Sequence, residues 1–97
     1  MKHSVIIKDP GKKPRHVNIS TSLQNLSTIV GGVPDFARIA QELVIIFNPE
    51  ATEPNANICG FDFKGTIIFI GANKNDWDDL PMTYNEFKVH FPGAFRS

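Results

Sequence analysis

Cysteine is all but missing from this sequence: Cys59 is the only one in 97 residues. A lone thiol forms no intrachain disulfide and no cysteine-based zinc site, and it suits a reducing cytosol. Long apolar runs are missing as well. The longest, LVIIF (43–47) and TIIFI (66–70), fall far short of the roughly 20 residues that span a bilayer as a helix, so no membrane partner is expected. Residues 1–11, MKHSVIIKDPG, lack the apolar core of a secretory signal. The sequons at Asn18 and Asn25 then read as chance matches. Charge of one sign is lacking too: ten basic residues balance ten acidic ones, which removes the uniformly basic surface of a non-specific nucleic-acid binder. Residues 1–35 hold no Phe, Trp or Tyr, so the most basic part of the chain has no stacking platform for single strands.

Recognisable reaction chemistry is equally scarce. Cys59 with His16 or His90 would be the nucleophile–base pair, but the ICGF context reads as a small buried hydrophobe without the electropositive setting of a reactive thiol. Asn73, Asn75, Asp76, Asp78 and Asp79 make an oxygen-rich stretch. Counted from Asn73, its sixth and twelfth positions are Asp78 and Tyr84, where a calcium loop needs glycine and glutamate. This stretch reads instead as a solvated chain reversal with Trp77 packed inward. The three histidines are scattered, against zinc. Gly31-Gly32 follows a helical pattern instead of opening one, the wrong polarity for a phosphate loop. No catalytic residue, metal or cofactor is therefore expected, and the chain is not expected to be an enzyme.

What is present is the pattern of one small domain, 1–97. SVIIK (4–8), a turn at Asp9-Pro10-Gly11 and the alternating RHVNI (15–19) predict a β-hairpin over 4–20. Thr21 and Gln24 fit a capping box opening a helix over 22–30, with Leu23, Leu26 and Val30 on one face and Gly31-Gly32 as its stop. Residues 33–47 allow two readings: one helix over 34–46 begun by Pro34, or two strands, FARIA and LVIIF, turned at Gln41-Glu42. The β-branched and aromatic content of LVIIF favours strands, although Gln-Glu is a poor hairpin turn. TIIFI is a central strand buried on both faces. Thr83 with Glu86 is a second capping box, opening a helix over 84–91 that Pro92-Gly93 ends. The tail AFRS is expected to fray. Between LVIIF and TIIFI lies NPEATEPNANICGFDF (48–63), read as a turn-rich connection with Phe61 and Phe63 in the core. The expected fold is α+β: about five mostly antiparallel strands with two short helices packed on one face.

In this order the pieces resemble a known family. IIKDPGKKPRHVNI, the helix ending in VGG, FARI leading into LVIIFNPEA, the PN of EPNANICG, and GTIIFIGANKNDWDDL before a terminal helix are similar to the small proteins grouped as domain of unknown function 3846. The resemblance implies strands for FARIA and LVIIF. It also implies an accessory protein of bacteriophages, plasmids or conjugative elements, in the bacterial cytoplasm. It brings no catalytic residue. The segment between Pro54 and Gly65 is shorter here than the acidic hairpin that relatives often carry.

The leading functional expectation is a non-enzymatic protein that binds a host or element protein, or its own copy as a homodimer. A second is a binder of a small polar ligand, such as a nucleotide signal of host defence. Asn48, Glu50, Asn55 and Asn57 in the polar stretch are its candidate contacts, offering donors and acceptors to a base or ribose. A third is a weak nucleic-acid binder through Lys8, Lys12, Lys13 and Arg15, charges that also fit a merely solvated turn.

Overall fold

The computed structural model describes residues 2–74 and 76–95; Asn75 of the oxygen-rich stretch and the last two residues of the tail lie outside them. Among the described residues the chain runs β1 (Lys2–Lys8), β2 (Arg15–Ser20), α1 (Leu23–Val30), β3 (Asp35–Ala40), β4 (Leu43–Phe47), β5 (Pro54–Ile58), β6 (Phe61–Lys64), β7 (Ile67–Asn73), β8 (Asp76–Asp78), α2 (Tyr84–His90) and a 3-10 turn, Pro92–Phe95. The class is α+β, and 33–47 forms two strands. Six strands make the main sheet in the order β2-β1-β7-β4-β3, with β8 also paired to β7, and β5-β6 is a separate two-stranded sheet. Every pairing is antiparallel.

β7 lies at the centre because its sequence is apolar on both faces. Phe69 faces Ile6 on one neighbour and Ile45 on the other. Val5, Ile7, Val44, Ile46, Ile68 and Ile70 pack on one face, against Leu26 and Val30 of α1. Ile6, Leu43, Ile45, Ile67 and Phe69 pack on the other, against Phe87 of α2. Each such side chain, fully buried, contributes about 1.5–3 kcal/mol. This corrects the expected layout. The helices cover opposite faces, since three strands apolar on both sides need a cover on each.

The stretch 48–63 is also corrected. It is no simple connection, because β5 and β6 pair through Asn57↔Asp62 and Ile58↔Phe61. Their turn, Cys59-Gly60, has φ of 53° and 88°, the double positive φ of a type I′ hairpin. Ile58 and Phe63 enter the core on the α2 side. Cys59 is exposed, not a buried hydrophobe, and Phe61, on the same face as Phe63, is 66% exposed because it lies at the turn end of the hairpin. The expected reversal at 72–79 is a hairpin as well, with Ala72 opposite Trp77.

Local signals explain the ends. Ser22, not Thr21, caps α1, accepting from Asn25 N–H at 3.2 Å, and Gly31 stops it at φ 80°. Leu23, at the open end of that helix, is 66% exposed. Thr83 and Glu86 form the reciprocal box of α2. In the β3–β4 turn neither Gln41 nor Glu42 takes positive φ. A register shift between Arg38 and Ala40 supplies the twist such a turn lacks. No helix among the described residues is long and apolar enough to cross a membrane.

Candidate ligand cavity on the half-covered face

The two faces of the main sheet are not covered alike. On one, α2, the 3-10 turn and the β5-β6 hairpin share the work. On the other, α1 is the only helix among the described residues. Its eight residues extend about 12 Å, whereas five strands side by side span about 19 Å. The β3-β4-β7-β8 end of that face is left to side chains of the sheet itself.

Register decides which ones. Phe36 sits opposite Ile46 and Arg38 opposite Val44. Val44 sits opposite Ile70, and Ala72 opposite Trp77. All lie on the α1 side. Phe36 and Trp77 reach over the floor of smaller residues between them, their rings 5.4 Å apart and tilted by 48°. Trp77 is half-buried against the core, whereas Phe36 remains 47% exposed. With Arg38, Val44, Ala72, Lys74 and Asp76 they line a cavity of about 460 Å³, a volume in the range of small-molecule sites.

Each aromatic wall is pinned at its backbone. Asp35 Oδ1 accepts from the Phe36 N–H at 2.8 Å, and Asp76 Oδ1 accepts from the Trp77 N–H at 2.9 Å. The Arg38 guanidinium donates to the Gln41 carbonyl. Among the described residues the one ion pair is Arg15–Asp9, at 3.5 Å. Arg38 and Lys74 therefore bring two cations outside that ion pair to an aromatic and aliphatic cleft that also holds the Asp76 carboxylate. No three His, Cys, Asp or Glu side chains among the described residues converge as metal ligands would.

The residues singled out from the sequence lie elsewhere. Asn48 donates to Gly31 O at 3.3 Å and accepts from Glu50 N–H at 3.0 Å, tying the end of α1 to the turn after β4. Asn48 and Glu50 share a small cleft beside Val33 and Pro34. Asn55 donates to Lys8 O at 2.8 Å and Gly65 O at 2.7 Å. Asn57 donates to Asp62 at 2.8 Å and accepts from Gly60 N–H, bracing the β5-β6 turn. Asn55 and Asn57 line neither that cleft nor the aromatic cavity. In the basic turn Lys12, Lys13 and Arg15 are exposed, but Lys8 is withdrawn. It is 1% exposed and donates to Asp9 O at 3.1 Å. His16 Nε2 shares a hydrogen bond with Ser4 Oγ in an open groove.

Comparison with known families adds one finding. A family model described as Domain of unknown function (DUF3846) matches residues 1–91. The chain belongs to the DUF3846 family. No curated protein and no solved structure matches it. The matched span contains every residue lining the aromatic cavity, so the cavity is built within the family's own domain. The family's description names no activity, which leaves the chemistry of the site to its geometry. Sequence reasoning missed Phe36, Arg38 and Lys74. The one available signal was Trp77, the only tryptophan, set between Asp76 and Asp78 in a polar stretch.

Proposed function

We propose that this DUF3846 chain is a non-enzymatic binding protein whose half-covered face takes a small ligand with a planar ring. The observation that carries the reading is the aromatic cavity. Phe36 and Trp77 wall a cleft of about 460 Å³ floored by Val44 and Ala72. An aromatic face left 47% exposed over such a floor is a stacking surface with nothing stacked on its outer side. The wider setting follows the family resemblance: an accessory protein of a phage, plasmid or conjugative element in the cytoplasm of a bacterial host. In that setting the ligand class that fits is a nucleobase-bearing metabolite, including the nucleotide signals of host defence. Binding of a host protein or of a second copy is compatible with the same role.

Trp77 is the only tryptophan in the chain and lies in the cavity, so its emission reports on occupancy directly. Titration with a panel of nucleosides and nucleotides is expected to quench or shift that emission, and Phe36→Ala to weaken the response. A flat response across the panel, with no ligand-dependent rise in melting temperature, removes this reading.

A further inference from the structure

We infer that the ligand carries a negative group beside its ring, the chemistry of a nucleoside monophosphate, and that Lys74 and Arg38 hold that group; this rests on the ring-binding reading above. Lys74 is one of two non-glycine residues with positive φ among the described residues, at 56°. That conformation crowds Cβ against the backbone in any residue but glycine. At Cys59, the other case, the strain belongs to a hairpin turn completed by Gly60. Lys74 likewise stands at a hairpin turn, between β7 and β8 where Asn73 pairs with Asp76, and that turn places it in the cavity lining. Arg38 stands on β3, across the floor from it, and the contact with Gln41 O engages one edge of its guanidinium.

The one acid in the lining, Asp76, offsets only one of the two cations. Asp76 Oδ1 is turned to the Trp77 N–H, and among the described residues neither Arg38 nor Lys74 is in an ion pair. A neutral ring needs no such charges. Two unpaired cations flanking an aromatic wall match a ring with an anion attached, through charge-assisted hydrogen bonds.

The test follows Trp77 emission during titration with adenosine, adenosine monophosphate and inorganic phosphate separately. The expected result is that the monophosphate binds at least about tenfold more tightly than adenosine, a step of 1.4 kcal/mol. Lys74→Gly should erase most of that preference and melt no lower than the parent, because glycine relieves the strained position. Arg38→Gln should reduce it as well. Equal binding of adenosine and its monophosphate, or a preference that survives in Lys74→Gly, overturns the anion inference and leaves ring binding standing. No response to either adenosine compound, or phosphate alone binding as tightly as the monophosphate, overturns the ring reading itself.

Discussion

Lys8, at the end of β1, is 1% exposed, and its ammonium donates to the Asp9 carbonyl at 3.1 Å. Burial pushes its pKa below the ordinary lysine value of 10.5, against the smaller opposing pull of the Asp9 charge. A lysine lowered in this way binds fewer protons folded than unfolded between its two pKa values, so stability rises with pH across that window. Below the window the cost of burying the charge is present in full, and above 10.5 it is gone. Lys8→Met is therefore expected to be more stable than the parent at neutral pH, with the gap closing as pH approaches 10.5. Urea unfolding at a series of pH values checks this, and a variant less stable at neutral pH would show that the bond to Asp9 outweighs burial. Cys59 supplies a second case at the same scale. It holds φ 53° ahead of Gly60 at 88°. Asparagine tolerates that conformation better than cysteine, and Asn-Gly is the preferred type I′ pair. Cys59→Asn should raise stability by about 0.5–1 kcal/mol, and Cys59→Val should lower it, both read from denaturant midpoints.

Among the elements, those whose residues announce their own conformation were legible. LVIIF and TIIFI are β-branched runs, and Thr83 with Glu86 is a self-contained capping signal. The β5-β6 hairpin was not, because PNANI is rich in strand-poor residues and Cys-Gly is an unusual hairpin pair; burial of Ile58 and Phe63 overrides both. The placement of the helices on opposite faces followed from apolar residues on both sides of β1, β4 and β7, a property of the assembled sheet. The cavity was least legible. Phe36 and Arg38 are far along the chain from Lys74 and Trp77, and only the order β3-β4-β7 with β8 attached joins them. One glycine tests that junction. A Cβ at Gly71 would lie 2.1 Å from the Asp79 carbonyl oxygen, so Gly71→Ala must push away the segment that follows β8. The expected cost is about 1–3 kcal/mol, accompanied by a red-shifted Trp77 emission as the ring loses its seat over Ala72. An unchanged emission spectrum in a folded variant would separate β8 from the cavity.

At the scale of the whole molecule the open question is the sheet's edges, which invite pairing with another chain. The outer edge of β3 is the more inviting, for it carries the half-exposed Phe36 and small Ala37, whereas β2 presents Arg15, His16 and Asn18. A twofold axis normal to the sheet keeps its faces continuous, so residues opposed across a β3–β3 seam must share a face. Centred on Arg38, the seam opposes like charges, which is unfavourable. Centred on Ala37, it sets Phe36 against the partner's Arg38 twice, a cation–π arrangement. Alanine then lies at the axis, where Cα atoms approach to about 4.5 Å in a non-hydrogen-bonded pair. Asp35 works against this seam, because its carboxylate already holds the Phe36 N–H at 2.8 Å, and the register shift after Arg38 shortens the regular edge. Removing that carboxylate frees a main-chain donor and deletes a charge from the edge. Asp35→Ala is therefore expected to self-associate more strongly than the parent in sedimentation equilibrium, and adding Ala37→Glu, which places two like charges at the axis, should return it to the parent's mass. Equal masses for parent and Asp35→Ala at every concentration would mean that some feature other than Asp35 keeps this edge closed.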